Sequence, residues 1–85
     1  MELRLPPPIR LRLFASLSEQ AGWSQRDWPW PEQPQPPTPA QLWGQLGLAG
    51  SLTDLRIAVN LEFADAQQPL QPGDELAFLP PISGG

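Results

Sequence analysis

Thirteen of the 85 residues are proline, and their positions limit where regular structure can form. Each proline fixes φ and removes a backbone donor, so helix interiors and central strands must lie between them. Clusters at 6–8, 29–39 and 80–81 leave two long windows, residues 9–28 and 40–79, the second interrupted at Pro69 and Pro72. Any sheet ladder that reaches Leu79 has to stop at Pro80 and Pro81.

Within the first window Ile9, Leu11 and Leu13 alternate with Arg10 and Arg12, the pattern of a strand with one buried and one solvated face. Phe14 breaks the alternation by falling on the arginine face. Ser16-Leu17-Ser18-Glu19 fits a capping box, Leu17 and Ala21 lie one turn apart, and Gly22 is a stop signal, which together predict a short helix. A second strand is expected near Gln25 to Trp30. Thr38-Pro39-Ala40-Gln41 combines a capping box with proline at the first helical position, Leu42, Trp43 and Leu46 make an apolar stripe, and Gly47 ends the helix. Arg56 to Asn60 and Leu61-Glu62-Phe63 carry strand signals with Asn60 as a turn residue. Gln71-Pro72-Gly73-Asp74 has proline and glycine where a type II turn needs them, and it feeds a last strand, Glu75 to Leu79.

These windows define one domain over residues 9–85, preceded by an extended proline-rich leader at 1–8. Strands before and after one main helix suit an α+β roll in which a mixed sheet grips a long helix. Residues 23–39 form a Trp/Pro-rich loop carrying Trp23, Trp28 and Trp30. Its PxxP spacings, such as Pro31 to Pro34, fit an SH3-type ligand formally, but such spacings arise by chance in any proline-dense loop. The simpler expectation is a stiff loop packing its tryptophans on the domain.

The composition removes whole classes of chemistry. With neither cysteine nor histidine there is no disulfide, no thiolate or imidazole metal ligand, and no Cys/His or Ser/His nucleophilic arrangement, so a self-sufficient enzyme is not expected. Gly44, Gly47 and Gly50 match neither the dinucleotide nor the Walker spacing, and Asp54, Glu62 and Asp65 show no paired-carboxylate design. Five arginines against nine carboxylates give a net charge of −4, which argues against nucleic acid and is compatible with a more basic protein partner. Met1 to Leu5 runs into prolines without an apolar core for a signal peptide, and no apolar run reaches membrane-spanning length, so a cytoplasmic location is expected.

The tail is the remaining signal. From Pro80 to Gly85 the chain is stiff, and at about 3.3 Å per residue it reaches about 20 Å, enough to enter a neighbour's pocket. Gly84 and Gly85 carry no Cβ, so the tip is thin and its carboxylate unshielded. The string Gly73-Asp74-Glu75-Leu76-Ala77-Phe78-Leu79-Pro80-Pro81-Ile82-Ser83-Gly84-Gly85 resembles the C-terminus of the small, sulfur-carrying subunits of molybdopterin synthase, members of the ubiquitin-like sulfur carriers with a β-grasp fold. The resemblance extends over about residues 9–85, with Ile9 to Ala21 similar to the family's first strand and helix and Ile57-Ala58-Val59-Asn60 to its mid-chain strand. The leader and the loop at 23–39 are longer than the pattern needs.

The resemblance implies a role in molybdenum cofactor biosynthesis as a sulfur-donating subunit rather than an enzyme alone. A carboxylate is a poor electrophile, and this chain has no nucleotide site of its own. An E1-like adenylyltransferase would therefore use ATP to activate the Gly85 carboxylate, and a sulfur donor protein would turn the acyl-adenylate into a thiocarboxylate. Pro80, Pro81, Ile82, Ser83 and Gly84 would position that group in the active site of the synthase large subunit, in a heterotetramer with two copies of each chain. No cofactor or metal bound by the chain itself is implied. The alternatives are a thiazole-pathway sulfur carrier, a ubiquitin-related protein modifier, and a proline-rich interaction protein acting through residues 29–39. The Phe78-Leu79-Pro80-Pro81 run favours the molybdopterin side over the thiazole one.

A docking surface follows from the broken alternations. Leu13 and Phe14 are adjacent, as are Phe78 and Leu79, so each pair must point to opposite faces of a sheet. If Leu13 and Phe78 face the helix, Phe14 and Leu79 are left on the outer face, where Phe63 can join them in a partner interface. The competing expectation is that the Trp-rich loop folds back over this patch.

Overall fold

The computed structural model describes residues 5–81. Strands β1 (Ile9–Leu13), β2 (Gln25–Trp28), β3 (Arg56–Val59), β4 (Glu62–Phe63) and β5 (Glu75–Leu79) form a five-stranded sheet in the order β2-β1-β5-β3-β4. Only β1 and β5 run parallel; the other neighbours are antiparallel, so the sheet is mixed. Helix α1 (Ser16–Ala21) connects β1 to β2, helix α2 (Pro39–Leu46) follows the proline-rich loop, and a single 3-10 turn (Leu52–Asp54) precedes β3. This is the β-grasp roll expected from the sequence. The parallel pairing of first and last strands puts β5 at the middle of the sheet.

One face of the sheet makes the core. Ile9, Leu11 and Leu13 of β1, Ile57 and Val59 of β3, and Leu76 and Phe78 of β5 are buried against Leu42 and Trp43 of α2. Phe78 is fully buried, and its ring centroid lies 5.1 Å from that of Trp43 at a tilt of 55°. A fully buried Phe side chain contributes about 1.5–3 kcal/mol from area alone, and a tilted aromatic contact adds about 1 kcal/mol.

Helix α2 begins as its sequence predicts. Thr38 is extended, its Oγ1 accepts from the Gln41 N–H at 3.2 Å, and Pro39 occupies the first turn. The reciprocal half of the box is absent, because the Gln41 side chain pairs with that of Gln33 instead, donating to its Oε1 at 2.8 Å. Gly47 closes the helix in the left-handed region at φ 69°. With 8 residues α2 is the main helix but not the long one expected, since Pro39 and Gly47 bracket it closely.

Two further expectations need correction. Ser16 does not cap α1: the cap position is Ala15, at φ 51° and ψ −128°, no side chain bonds the first-turn donors, and the Ser18 hydroxyl turns back to donate to the Ala15 carbonyl at 2.8 Å. The second strand ends at Trp28 and not Trp30, because Pro29 cannot extend the ladder. The proline loop packs on the domain as expected, with Trp23, Trp28 and Trp30 against the core, and backbone bonds anchor it further. Pro37 and Leu70 are buried, and the Leu70 N–H donates to the Pro37 carbonyl at 2.9 Å, while the Ala40 N–H donates to the Ala66 carbonyl at 2.9 Å.

Candidate functional site

The geometry that matters begins where β5 starts. Gly73 takes φ 85° in the Gln71–Asp74 turn, and the Asp74 N–H donates to the Gln71 carbonyl at 3.1 Å, as a type II turn requires. Asp74 then fixes the strand from both sides. Its carbonyl accepts from the Arg10 N–H at 2.8 Å, and its carboxylate accepts from the Gln71 N–H at 2.8 Å and from Asn60 Nδ2 at 2.9 Å. Asn60 Oδ1 accepts from the Glu75 N–H at 3.0 Å, and the Asn60 N–H donates to the Glu75 carbonyl at 2.8 Å. The register of β5 is thus set at its first residue.

At its far end β5 is held by packing. Phe78 pairs with Leu13 on one side and Ile57 on the other, and Leu79, the last strand residue, lies opposite Arg56. Pro80 is half-buried and Pro81 exposed, and neither belongs to a strand. The chain therefore leaves the sheet from its central strand. Ile82, Ser83, Gly84 and Gly85, predicted to position and carry the reactive carboxyl group, lie outside the described residues, as do Met1 to Arg4.

The outer face collects the other predicted residues. Alternation from the buried Leu11 and Leu13 puts Arg10 and Arg12 on this face, and the register adds Glu75, Ala77 and Leu79 from β5, Arg56 and Ala58 from β3, and Phe63 from β4. Ala58 is opposite Ala77 on one side and Phe63 on the other, so two small residues form a shallow floor between larger side chains. Phe63 is 74% exposed, Leu79 is half-buried, and Phe14, one residue past the paired Leu13, is also half-buried.

Two arginines that the sequence reading did not select frame this floor. The Arg12 guanidinium lies 5.1 Å from the Phe14 ring centroid, and that of Arg56 lies 5.9 Å from the Phe63 centroid. Arg12 Nη1 approaches Glu75 Oε1 at 3.9 Å, an ion pair too long to be a hydrogen bond, and Arg12 Nε is buried without an acceptor. The sequence held the signal for Arg12, because the same alternation that puts Phe14 on the outer face puts Arg12 there too. Arg56 could not be paired with Phe63 without the strand register.

The tryptophans lie elsewhere. Trp28 is opposite Ile9 in the ladder and shares its face, and Trp23, Trp28 and Trp30 all pack against the buried core. Arg26 lies over the Trp23 ring at 4.5 Å. The start of the proline loop, Pro29 to Gln33, runs beside Leu5 to Pro8 along an open groove of about 810 Å³. Leader and loop thus line one groove, in which Phe14, Phe63 and Leu79 take no part.

Comparison with known proteins extends these observations. The ThiS family model matches residues 11–85. The sequence is 42% identical over 60 residues to the human molybdopterin synthase sulfur carrier subunit, an alignment spanning 61% of this chain and 68% of the human one. Among solved structures, the solution structure of the Haloferax volcanii HVO 2177 protein superposes with a TM-score of 0.75 at 23% identity, covering 100% of this chain and 92% of that one. The crystal structure of small archaeal modifier protein 1 from H. volcanii gives a TM-score of 0.70 at 22% identity, covering 89% of this chain and 99% of that chain. At these identities the structural likenesses establish the fold.

Proposed function

The chain belongs to the ThiS family, and from that premise we propose that it is the sulfur-carrier subunit of a molybdopterin synthase, with the sulfur carried on the carboxyl group of Gly85. The observation that carries this reading is the exit of the chain from β5. A central strand, held at its start by Asn60 and Asp74 and at its end by Phe78, runs into Pro80-Pro81, after which the sequence continues Ile82-Ser83-Gly84-Gly85. Such an anchor fixes the root of the last residues, so chemistry at Gly85 need not disturb the body behind it. The 42% identity to the human sulfur carrier subunit supports the molybdopterin branch over a thiazole-pathway carrier or a protein modifier.

The chemistry follows from the poor electrophilicity of a carboxylate. An oxygen of the Gly85 carboxylate attacks the α-phosphorus of ATP in the site of an E1-like adenylyltransferase, and pyrophosphate leaves. A sulfide-level sulfur supplied by a donor protein, or a donor persulfide sulfur whose S–S bond is then reduced by a thiol, attacks the acyl carbon and expels AMP, leaving a thiocarboxylate. The large synthase subunit receives this arm, and two such sulfurs turn the cyclic pyranopterin precursor into a dithiolene, after which hydrolysis returns the Gly85 carboxylate. Gly85 is a reactant consumed and restored; Pro80 to Gly84 orient it. Phe14, Leu79 and Phe63 supply the apolar face against which the large subunit docks, consistent with the preference of fully desolvated interface centres for aromatic and aliphatic anchors.

The test is to incubate the chain with an activating enzyme, ATP and a sulfur donor and to measure the intact mass. Replacement of one oxygen by one sulfur, mapped to the peptide ending at Gly85 and lost on deletion of Gly85, is the expected result. Sulfur found on another residue, or on the Gly85-deleted chain, would overturn the reading.

A further inference from the structure

Net charge alone suggests that a partner of this acidic chain should be basic, yet the outer face of the sheet has the opposite sign from the rest. The chain carries nine carboxylates against five arginines. Three of those arginines, Arg10, Arg12 and Arg56, share the outer face, where the register adds only Asp27, opposite Arg10, and Glu75 as carboxylates. Arg10 and Arg12 are balanced in number by these two. Arg56 is opposite Leu79, and among the described residues the single ion pair is that of Arg12 with Glu75.

The state of the two framing guanidiniums is informative. Each guanidinium lies within 6 Å of an aromatic ring centroid, Arg12 at 5.1 Å from Phe14 and Arg56 at 5.9 Å from Phe63, a contact that favours the cation and restrains its side chain. Among the described residues neither donates a hydrogen bond, and Arg12 Nε has already lost its water without gaining an acceptor. Arg12 is opposite Ala77 and Arg56 opposite Leu79, so the two stand two strands apart and two residues offset, about 12 Å from each other at the backbone, on either side of β5. Guanidiniums left without acceptors match carboxylates, which accept two parallel N–H bonds from one guanidinium.

We propose that the outer face takes a protein partner whose contact surface is apolar at its centre, over Leu79, Ala77 and Ala58, and carries carboxylates at two points that meet Arg12 and Arg56. This rests on the reading above, in which that face docks on the large synthase subunit, and it specifies the chemistry of the docking surface: acidic, despite the acidity of this chain. The ring contacts restrain both arginines before pairing, which reduces the side-chain freedom lost, and charge steering speeds encounter.

The experiment is calorimetric titration of the full chain with the large subunit at about 50 mM and about 300 mM salt, where screening differs strongly, using the wild type, Arg12→Gln, Arg56→Gln and the double variant. Each single variant is expected to weaken binding about five- to tenfold at low salt, and the double variant to lose most of the salt dependence. Thermal unfolding of each variant separates a folding defect from lost contact; if Arg12→Gln proves unstable because Phe14 loses its cover, Arg56→Gln decides alone. A double variant that binds as the wild type does at both salt concentrations overturns the acidic-partner inference and leaves the sulfur-carrier reading standing. Failure of the wild type itself to bind the large subunit removes both.

Discussion

Asn60 and Asp74, fourteen positions apart, are joined side chain to side chain by a 2.9 Å hydrogen bond that ties the β3–β4 turn to the start of β5. Asn60 sits at φ 52°, a left-handed conformation that asparagine tolerates better than most residues. Its side chain also accepts from the Glu75 N–H, so one residue satisfies a turn and registers the strand that bears the tail. Asn60→Ala is expected to lose both bonds and gain backbone strain, costing about 1–3 kcal/mol. In a domain of this size that lowers Tm by roughly 4–20 °C, measurable by circular dichroism. Asn60→Gly should recover part of the loss, because it relieves the strain without restoring the bonds.

Leu61 makes the neighbouring case in reverse. It holds φ 70° and is 86% exposed, so a leucine occupies a position where glycine would be cheaper and its side chain rests on nothing. Leu61→Gly should raise stability by about 0.5–1 kcal/mol, the relief of left-handed strain exceeding the entropy cost of glycine. A denaturation midpoint at or below that of the wild type would show instead that Leu61 packs in solution.

What the sequence disclosed divides along physical lines. Local chemistry was readable: the alternation of β1, Thr38 with Pro39 at the start of α2, Gly47 at its end, and the Pro72-Gly73 turn all depend on residues a few positions apart. The Ser16 box misled because the chain passes Ala15 at positive φ and enters the helix one residue early, between the buried Leu13 and Leu17. The burial of Pro37 and Leu70 was hidden because it depends on two segments meeting across thirty-three positions. At the site, adjacency of Leu13–Phe14 and Phe78–Leu79 foretold the outer face, but only the strand register brings Arg56 over Phe63.

The aromatic contact beneath the tail should dominate stability. Phe78 is completely buried and meets Trp43 at 5.1 Å, so Phe78→Ala leaves a cavity between sheet and helix and is expected to cost about 3–5 kcal/mol. Small domains have a stability margin near this size, so the variant should be largely unfolded at physiological temperature. Phe78→Leu keeps much of the volume and should retain a cooperative transition at a lower Tm.

Anchor and arm should be separable by substitution. Leu79 is half-buried on the outer face, one residue after the buried Phe78 and one before Pro80. Leu79→Arg adds charge to a face already holding Arg12 and Arg56, and since its side chain points away from the core it should leave Tm within a few degrees of the wild type. Binding of the large subunit should nonetheless fall at least tenfold, because an apolar contact is replaced by a charge to be desolvated. Deletion of Gly85 should do the converse, leaving both fold and docking near the wild type while abolishing sulfur loading. Measuring Kd and thiocarboxylate yield on both variants therefore resolves two functions: a face that holds the partner and an end that reacts. Should Leu79→Arg lower Tm as Phe78→Ala does, Leu79 belongs to the core and the outer face is not a docking surface at that point.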